Sequence, residues 1–337
     1  MLATTTLVFV FFTGRLLLFC ADTELRALYG SDFVVCDGTF EMAPDSSYQV
    51  YTLHGYVHGE AMALAWALLP NKSQATYTEM FAVLRDKFVT MFGDAGSRTF
   101  LTDFEMAAIN AIRATFPASV VKGCTFHFRQ AISRKVQAAG LRQEYEDRSS
   151  AIHDWIRQLM SMTALPVFAV PLVWNWWLRF PPSTGSTVTD CKLQDLSDYF
   201  GRTWVSGEFP PELWSQFENN GPRTTNAAEG WHNSLNTHFG TPHPSLRVFL
   251  HWLQKCQYEV QSRCMQLAAG RTPKQKVLAY VAVDNNLWTA KLQYSMEIGH
   301  IFAHAAPDLA GIQLSRAQFR SATETYLRRC NHLLGCN

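Results

Sequence analysis

The sequence predicts a mixed α/β fold, an α+β arrangement in the order β-β-β-α-β-α-β-α, interrupted by a helical insertion and closed by a helical C-terminal tail. Three observations predict it. Residues 33–70 read as three consecutive strands joined by short turns, which implies an antiparallel meander. Near residue 76 the hydrophobic spacing changes from 2 to 3.6, after which strands and helices alternate. From about residue 140 the pattern is helical throughout.

The N-terminal run TTTLVFVFFTGRLLLFCA has the apolarity of a signal peptide or a short membrane span. No basic segment precedes it and Arg15 interrupts it, so LLLFC (16–20) is read as a buried strand leading into a short helix, ADTELRAL. FVVCDGTF (33–40) has the apolar character of a central strand, and APDSS (43–47) supplies turn chemistry. YQVYTLHGYV follows as a strand, HGE (58–60) reverses the chain, and AMALAWALLP alternates Met62, Leu64, Trp66 and Leu68 with four alanines. That period of 2 predicts a strand with one small face, despite the helix-forming composition.

Tyr77, Met80, Phe81, Leu84 and Phe88 share a helical face, with Thr76 and Glu79 spaced as a capping box. RTFLTD (98–103) reads as the next strand and FEMAAINAIRATFP as a helix stopped by Pro117, with Thr102 and Glu105 in capping-box spacing. SVVKGC (119–124) is the last strand, and a helix begins around His127. The expected organisation is an N-terminal extension over 1–12, a core over 13–139, a helical insertion over 140–220, core-closing helices over 221–260 and a helical region over 261–337. The insertion is rich in tryptophan (155, 174, 176, 177, 204, 214). VWNWWLRF (173–180) carries only Arg179 among its aromatics, so a packed core explains it better than base stacking.

With 337 residues, 47% of them hydrophobic, the chain can bury a sizeable core. Its net charge of +1 excludes a globally basic nucleic-acid binder, so any basic surface is local. The 8 cysteines have no CxxC pair and no regular spacing, which fits reduced thiols rather than a disulfide framework.

Asp37 interrupts an apolar strand, where an acid is costly to bury unless paired or bound to a metal; a strand-end cap is the alternative. Asp103 ends a strand at a helix start, and Glu229, in TTNAAEGWHNSLN (224–236), lies three residues after Asn226 in the spacing of a capping box. Strands bearing Asp37 and Asp103 neighbour each other in many sheets of this order, and a third carboxylate on a late helix completes a set of hard oxygen ligands. Such a set suits Mg²⁺ or Mn²⁺, and two such ions serve in-line phosphoryl displacement.

FVVCDGTFEMAP, FLTDFEMAAINAIRATFP, GCTFHF and PRTTNAAEGWHNSLN resemble, in order, the motifs of the Mutator-like element (MULE) transposase domain, and LLLFCADTELRALYGSDF resembles the segment that precedes them. The similarity runs from about residue 14 to 260. It implies an RNase H-like core with a helical insertion and a DDE triad at Asp37, Asp103 and Glu229, the acids that would hold two divalent cations. It implies DNA transposition by strand cleavage and strand transfer. The partners it implies are the DNA of element ends and target, with a homo-oligomer in the DNA complex, no membrane, no small-molecule substrate and a nuclear location.

Cys124 and His127 match the family's C-x2-H signature. No further ligands for zinc are evident nearby, and a buried structural role suits Cys124, while His127 stands where it could meet a phosphate. Arg223, His232 and Asn233 are candidate DNA contacts, the last two on the face of Glu229. Trp231, Leu235 and Phe239 form an apolar stripe. The chain departs from complete transposases in lacking a recognisable N-terminal zinc-finger module, and CNHLLGC (330–336) lacks knuckle spacing. Two readings therefore stay open: a metal-dependent transposase, or a domesticated or truncated relic acting as a non-catalytic DNA-associated or scaffold protein. A nuclease acting on other nucleic acid is a third, since fold alone does not fix substrate.

Overall fold

The computed structural model describes residues 9–11, 16–275, 278–303 and 309–334. The expected extension over 1–12 lies outside these except for one short strand, β1 (Phe9–Phe11), which pairs antiparallel with β2 (Leu17–Phe19). ADTELRAL forms α1 (Asp22–Tyr29). The meander is β3 (Phe33–Thr39), β4 (Gln49–Val57) and β5 (Glu60–Leu69), all antiparallel. His58 and Gly59 both take positive φ (50° and 83°) between the paired Val57 and Glu60, a two-residue reversal whose handedness matches strand twist.

The small face expected for β5 is interrupted. Leu53 of β4 opposes Ala65 and His54 opposes Ala63, so Leu64 is an extra residue on β5 and a bulge swaps the faces. Ala63 consequently joins Trp66 and Leu68 in one cluster, although strict alternation places them on opposite sides.

Next come α2 (Gln74–Phe92), β6 (Thr99–Thr102), α3 (Met106–Thr115) and β7 (Val120–Gly123). The sheet order is β1-β2-β5-β4-β3-β6-β7, with β6 parallel to β3 and β7 parallel to β6. The five apolar residues read as one face of α2 are all buried, and Phe100 of β6 packs on Phe81 at 6.0 Å and on Phe116 at 5.2 Å. The α2 cap is not the Thr76/Glu79 pair: Ser73 is the N-cap and accepts from the Thr76 amide at 3.3 Å, placing Thr76 inside the first turn.

The chain continues through α4 (Thr125–Ala138), α5 (Arg142–Glu146), α6 (Ala151–Ser161), α7 (Ala169–Val173), α8 (Thr187–Phe200) and α9 (Pro211–Trp214). It then forms α10 (Asn226–Phe239), α11 (Leu246–Ala268), α12 (Leu278–Ala303) and α13 (Leu309–Leu333). These elements fall into two compact units, residues 1–126 with 220–274 and residues 127–219 with 275–337.

In the first unit α10 and α11 cover a sheet face, where Leu235, Phe249, Trp252 and Leu253 pack with Phe19, Trp66 and Leu68. Trp231 and Phe239 lean on the same cluster, as their stripe predicts. The second unit is helical around an aromatic core: Phe128 stacks on Trp214 at 5.0 Å, and Trp174 on Phe200 at 5.3 Å. Trp155 Nε1 donates to the Leu178 carbonyl at 2.9 Å, so the VWNWWLRF segment is built into this core. Lys291 of α12 is buried with Nζ donating to the Gln216 and Phe217 carbonyls at 2.7 Å each. Among the described residues no helix is long and apolar enough to cross a membrane.

Candidate active site

Sheet register sets the strands that lead to the first two acids side by side. Val35 of β3 is registered with Leu101 of the parallel β6; Asp37 lies two residues further along β3, and Asp103 is the first residue past the end of β6. Two residues restore the same side of a strand, so within β3 the Asp37 carboxylate belongs to the face that bears Val35. Ala228 of α10 packs directly on Val35 and Leu101, with Tyr56 beside them. Glu229 therefore starts from a backbone already docked against the two strands that carry the aspartates. Asp37 is buried, while Asp103 and Glu229 are half-buried.

Each acid has a local hydrogen bond. Asp37 Oδ1 accepts from the Gly38 amide at 3.0 Å, and Asp103 Oδ1 accepts from the Glu105 amide at 3.2 Å. The Thr102/Glu105 capping box does not form, because α3 begins at Met106, three residues later than that box requires, and Glu105 itself is the uncapped N-cap position. The neighbouring Glu105 carboxyl is raised from its ordinary range by burial and then by the charge of Asp103.

The Asn226/Glu229 capping box is also absent. Thr225 is the N-cap residue, Asn226 is the first helical residue and is exposed, and Glu229 accepts from the Thr225 hydroxyl at 3.3 Å. Thr225 is fully buried, and its amide donates to Cys124 Sγ at 3.3 Å. Cys124 follows β7, and its own amide donates to the Thr102 carbonyl at 2.8 Å. Cys124 thus ties the start of the Glu229 helix to the strand end that precedes Asp103, a structural role for a buried thiol.

His232, one turn beyond Glu229, turns inward. Its Nδ1 lies 3.6 Å from Asp37 Oδ2 and its Nε2 lies 3.5 Å from Thr52 Oγ1. Thr52 opposes Asp37 across the β3–β4 ladder, donates to the Asp37 carbonyl at 3.2 Å and stands 3.1 Å from His54 Nε2. Burial lowers the His232 imidazole to about 4, and burial followed by the charge of His232 lowers His54 to about 3. Both rings are neutral at physiological pH, so the His232–Asp37 contact is polar and leaves the negative charge of Asp37 uncompensated by His232.

Asn233 is exposed beside His232 on α10. Arg223 is half-buried on the segment leading to Thr225, and its carbonyl accepts from the Thr125 amide at 2.9 Å. His127 is half-buried and belongs to the second unit. Thr52, His54 and Thr225 escaped the sequence reading. Thr52 and His54 did leave a signal, as two polar residues two apart in an otherwise apolar strand, while Thr225 was masked by the better-looking cap at Asn226.

Oxygen donors on converging strands and helix are of the type a hard divalent cation takes. Among the described residues, however, no three His, Cys, Asp or Glu side chains stand close enough to share one ion. The described cysteines are all free thiols.

No curated protein and no solved structure matches the chain. Over residues 33–131, which carry Asp37, Asp103, Cys124 and His127, the chain matches the family model of the MULE transposase domain, the family its motifs resemble.

Proposed function

We propose that this chain is a MULE-type DDE transposase catalytic domain, which cleaves DNA at element ends and joins the freed strands to target DNA. The observation that carries the reading is the packing of Ala228 on Val35 and Leu101, which brings the third acid's helix to the strands of the first two. Support for an RNase H-like core comes from the order β5-β4-β3-β6-β7, an antiparallel meander followed by two strands parallel to its first.

Asp37, Asp103 and Glu229 would hold Mg²⁺ or Mn²⁺, two ions in the complete site. Such a pair supplies Lewis-acid polarisation of the scissile phosphodiester. The chain's own part is to orient the carboxylates: the Gly38 and Glu105 amides fix one oxygen of each aspartate, and the Thr225 hydroxyl one oxygen of Glu229. The neutral His232 positions Asp37 without cancelling its charge. Arg223 and Asn233 are proposed DNA contacts, and the working form is a homo-oligomer on DNA in the nucleus.

The ungrouped side chains favour a second reading, a transposase relic that binds without cutting. Supercoiled plasmid incubated with the protein and Mg²⁺ or Mn²⁺ separates the two. Nicking or linearisation that disappears in Asp37→Asn supports the enzyme. No cleavage by the folded wild type supports the relic, and cleavage that survives the substitution refutes the triad.

A further inference from the structure

Away from the carboxylates, α6 and α13 of the helical unit border a cleft of about 320 Å³ whose lining includes three arginines and one acid. Arg157 of α6, Arg328 of α13 and Arg148, just ahead of α6, all reach it. Asp154 is the one acid in the lining, and Glu324 stands 3.8 Å from Arg328 at its margin, one helical turn away. Exposed pairs of that kind contribute little. Neither Arg148 nor Arg157 is ion-paired among the described residues. Two unpaired guanidinium groups converging on one concavity repel each other, so the arrangement is improved by an anion between them.

The neutral polar groups of the cleft point the same way. Gln158 lines it, and its Oε1 is buried with no hydrogen-bond partner among the described residues. Its side-chain amide adds a neutral polar group to the cleft wall. Asn331 is held in the lining by the Ser161 hydroxyl, which donates to Oδ1. Planar forks and amides around a small concavity are the donor set that recognises tetrahedral oxyanions.

We propose that the α6–α13 cleft is an oxyanion site that binds a phosphate group, separate from Asp37, Asp103 and Glu229. The phosphate comes either from a nucleic-acid backbone or from a free phosphate, and the charge and fork geometry serve both. A local site of this kind gives a chain of net charge +1 a phosphate foothold that its composition does not advertise.

The test is binding in EDTA, so its outcome does not depend on strand cleavage or on the acid triad. Wild type, the double variant Arg157→Gln/Arg328→Gln and the control Arg142→Gln are titrated with a labelled DNA duplex at several salt concentrations, and separately with inorganic phosphate by calorimetry. Arg142 is an exposed arginine of α5 paired with Glu146 outside the cleft. The expected result is a loss of about tenfold or more in duplex affinity for the double variant, with the salt slope reduced by about 1–2 and the control unchanged. Loss of inorganic-phosphate binding in the double variant with duplex affinity intact supports the site and names free phosphate as its ligand. Wild-type levels of both in the double variant overturn the proposal. Arg148→Gln, at an exposed position, repeats the test should the double variant fail to match the wild-type circular dichroism spectrum.

Discussion

Substituting His232 with glutamine removes an imidazole that the fold holds neutral, and the consequence is a change in how stability depends on pH. Burial lowers His232 from an ordinary value of 6.5 to about 4. Between those values the unfolded chain binds a proton that the folded protein does not, so stability rises with pH across the window. It is fully present above pH 6.5 and is lost as pH falls towards 4. A shift of roughly 2.5 units corresponds to about 3 kcal/mol, most of it already lost at pH 4.5. His54, lowered to about 3, acts in the same direction in both proteins and largely cancels from the comparison. Urea denaturation at pH 7.5 and pH 4.5 reads the effect. Wild type is expected to lose about 2–3 kcal/mol more than His232→Gln on acidification. Parallel losses in the two proteins would refute a buried, neutral His232 beside Asp37.

Glu229→Gln is expected to change stability by less than about 0.5 kcal/mol, since glutamine still accepts from the Thr225 hydroxyl, while abolishing metal-dependent plasmid nicking; retained nicking would remove Glu229 from the site. Asn226→Ala, at an exposed position that is not the cap, is expected to be nearly silent in thermal melts. Thr225→Val, which removes a buried hydroxyl from the real cap, is expected to cost about 1 kcal/mol, and the reverse ranking would restore Asn226 as the cap. Gly123→Ala drives a methyl into two ring carbons of Phe104, the residue after Asp103, so it is expected to destabilise by about 1–3 kcal/mol and to reduce nicking. Unchanged melting and nicking would show that the ring yields without moving Asp103.

The sheet was legible because its signals are local. Period-2 alternation at 61–69 identified β5 against an Ala-Leu composition, and turn chemistry at His58–Gly59 closed the hairpin. The bulge at Leu64 was not legible, because an inserted residue changes which strand neighbour each side chain meets without changing the residues themselves. Cap positions were misplaced for a related reason. Ser73, Glu105 and Thr225 occupy caps that sequence spacing assigns to Thr76, Thr102 and Asn226; at α2 and α10 several Ser, Thr and Asn residues compete and tertiary contacts choose among them, while α3 starts later with no side-chain cap. That the strands leading to Asp37 and Asp103 are neighbours could be read from element order, but the approach of His232 to Asp37 could not. Its inward turn depends on how α10 lies on the sheet, and an i+3 relation to Glu229 fits an outward face equally well.

The one-residue shift at the start of α10 decides what Glu229 is for. With Asn226 as the cap, Glu229 occupies the third helical position and its carboxylate folds back onto the cap amide, as capping boxes require. With Thr225 as the cap, Glu229 is the fourth helical residue, past the reach of that amide, and meets the Thr225 hydroxyl instead. The work of holding the helix start passes to Cys124, which accepts the Thr225 amide from the end of β7. A half-buried carboxylate relieved of its backbone partner, on a helix packed against the strands of Asp37 and Asp103, keeps its second oxygen for something other than the helix. A silent Asn226→Ala alongside an inactive Glu229→Gln would tie these observations together, because only a Glu229 that does not serve the cap can lose its charge without loss of fold.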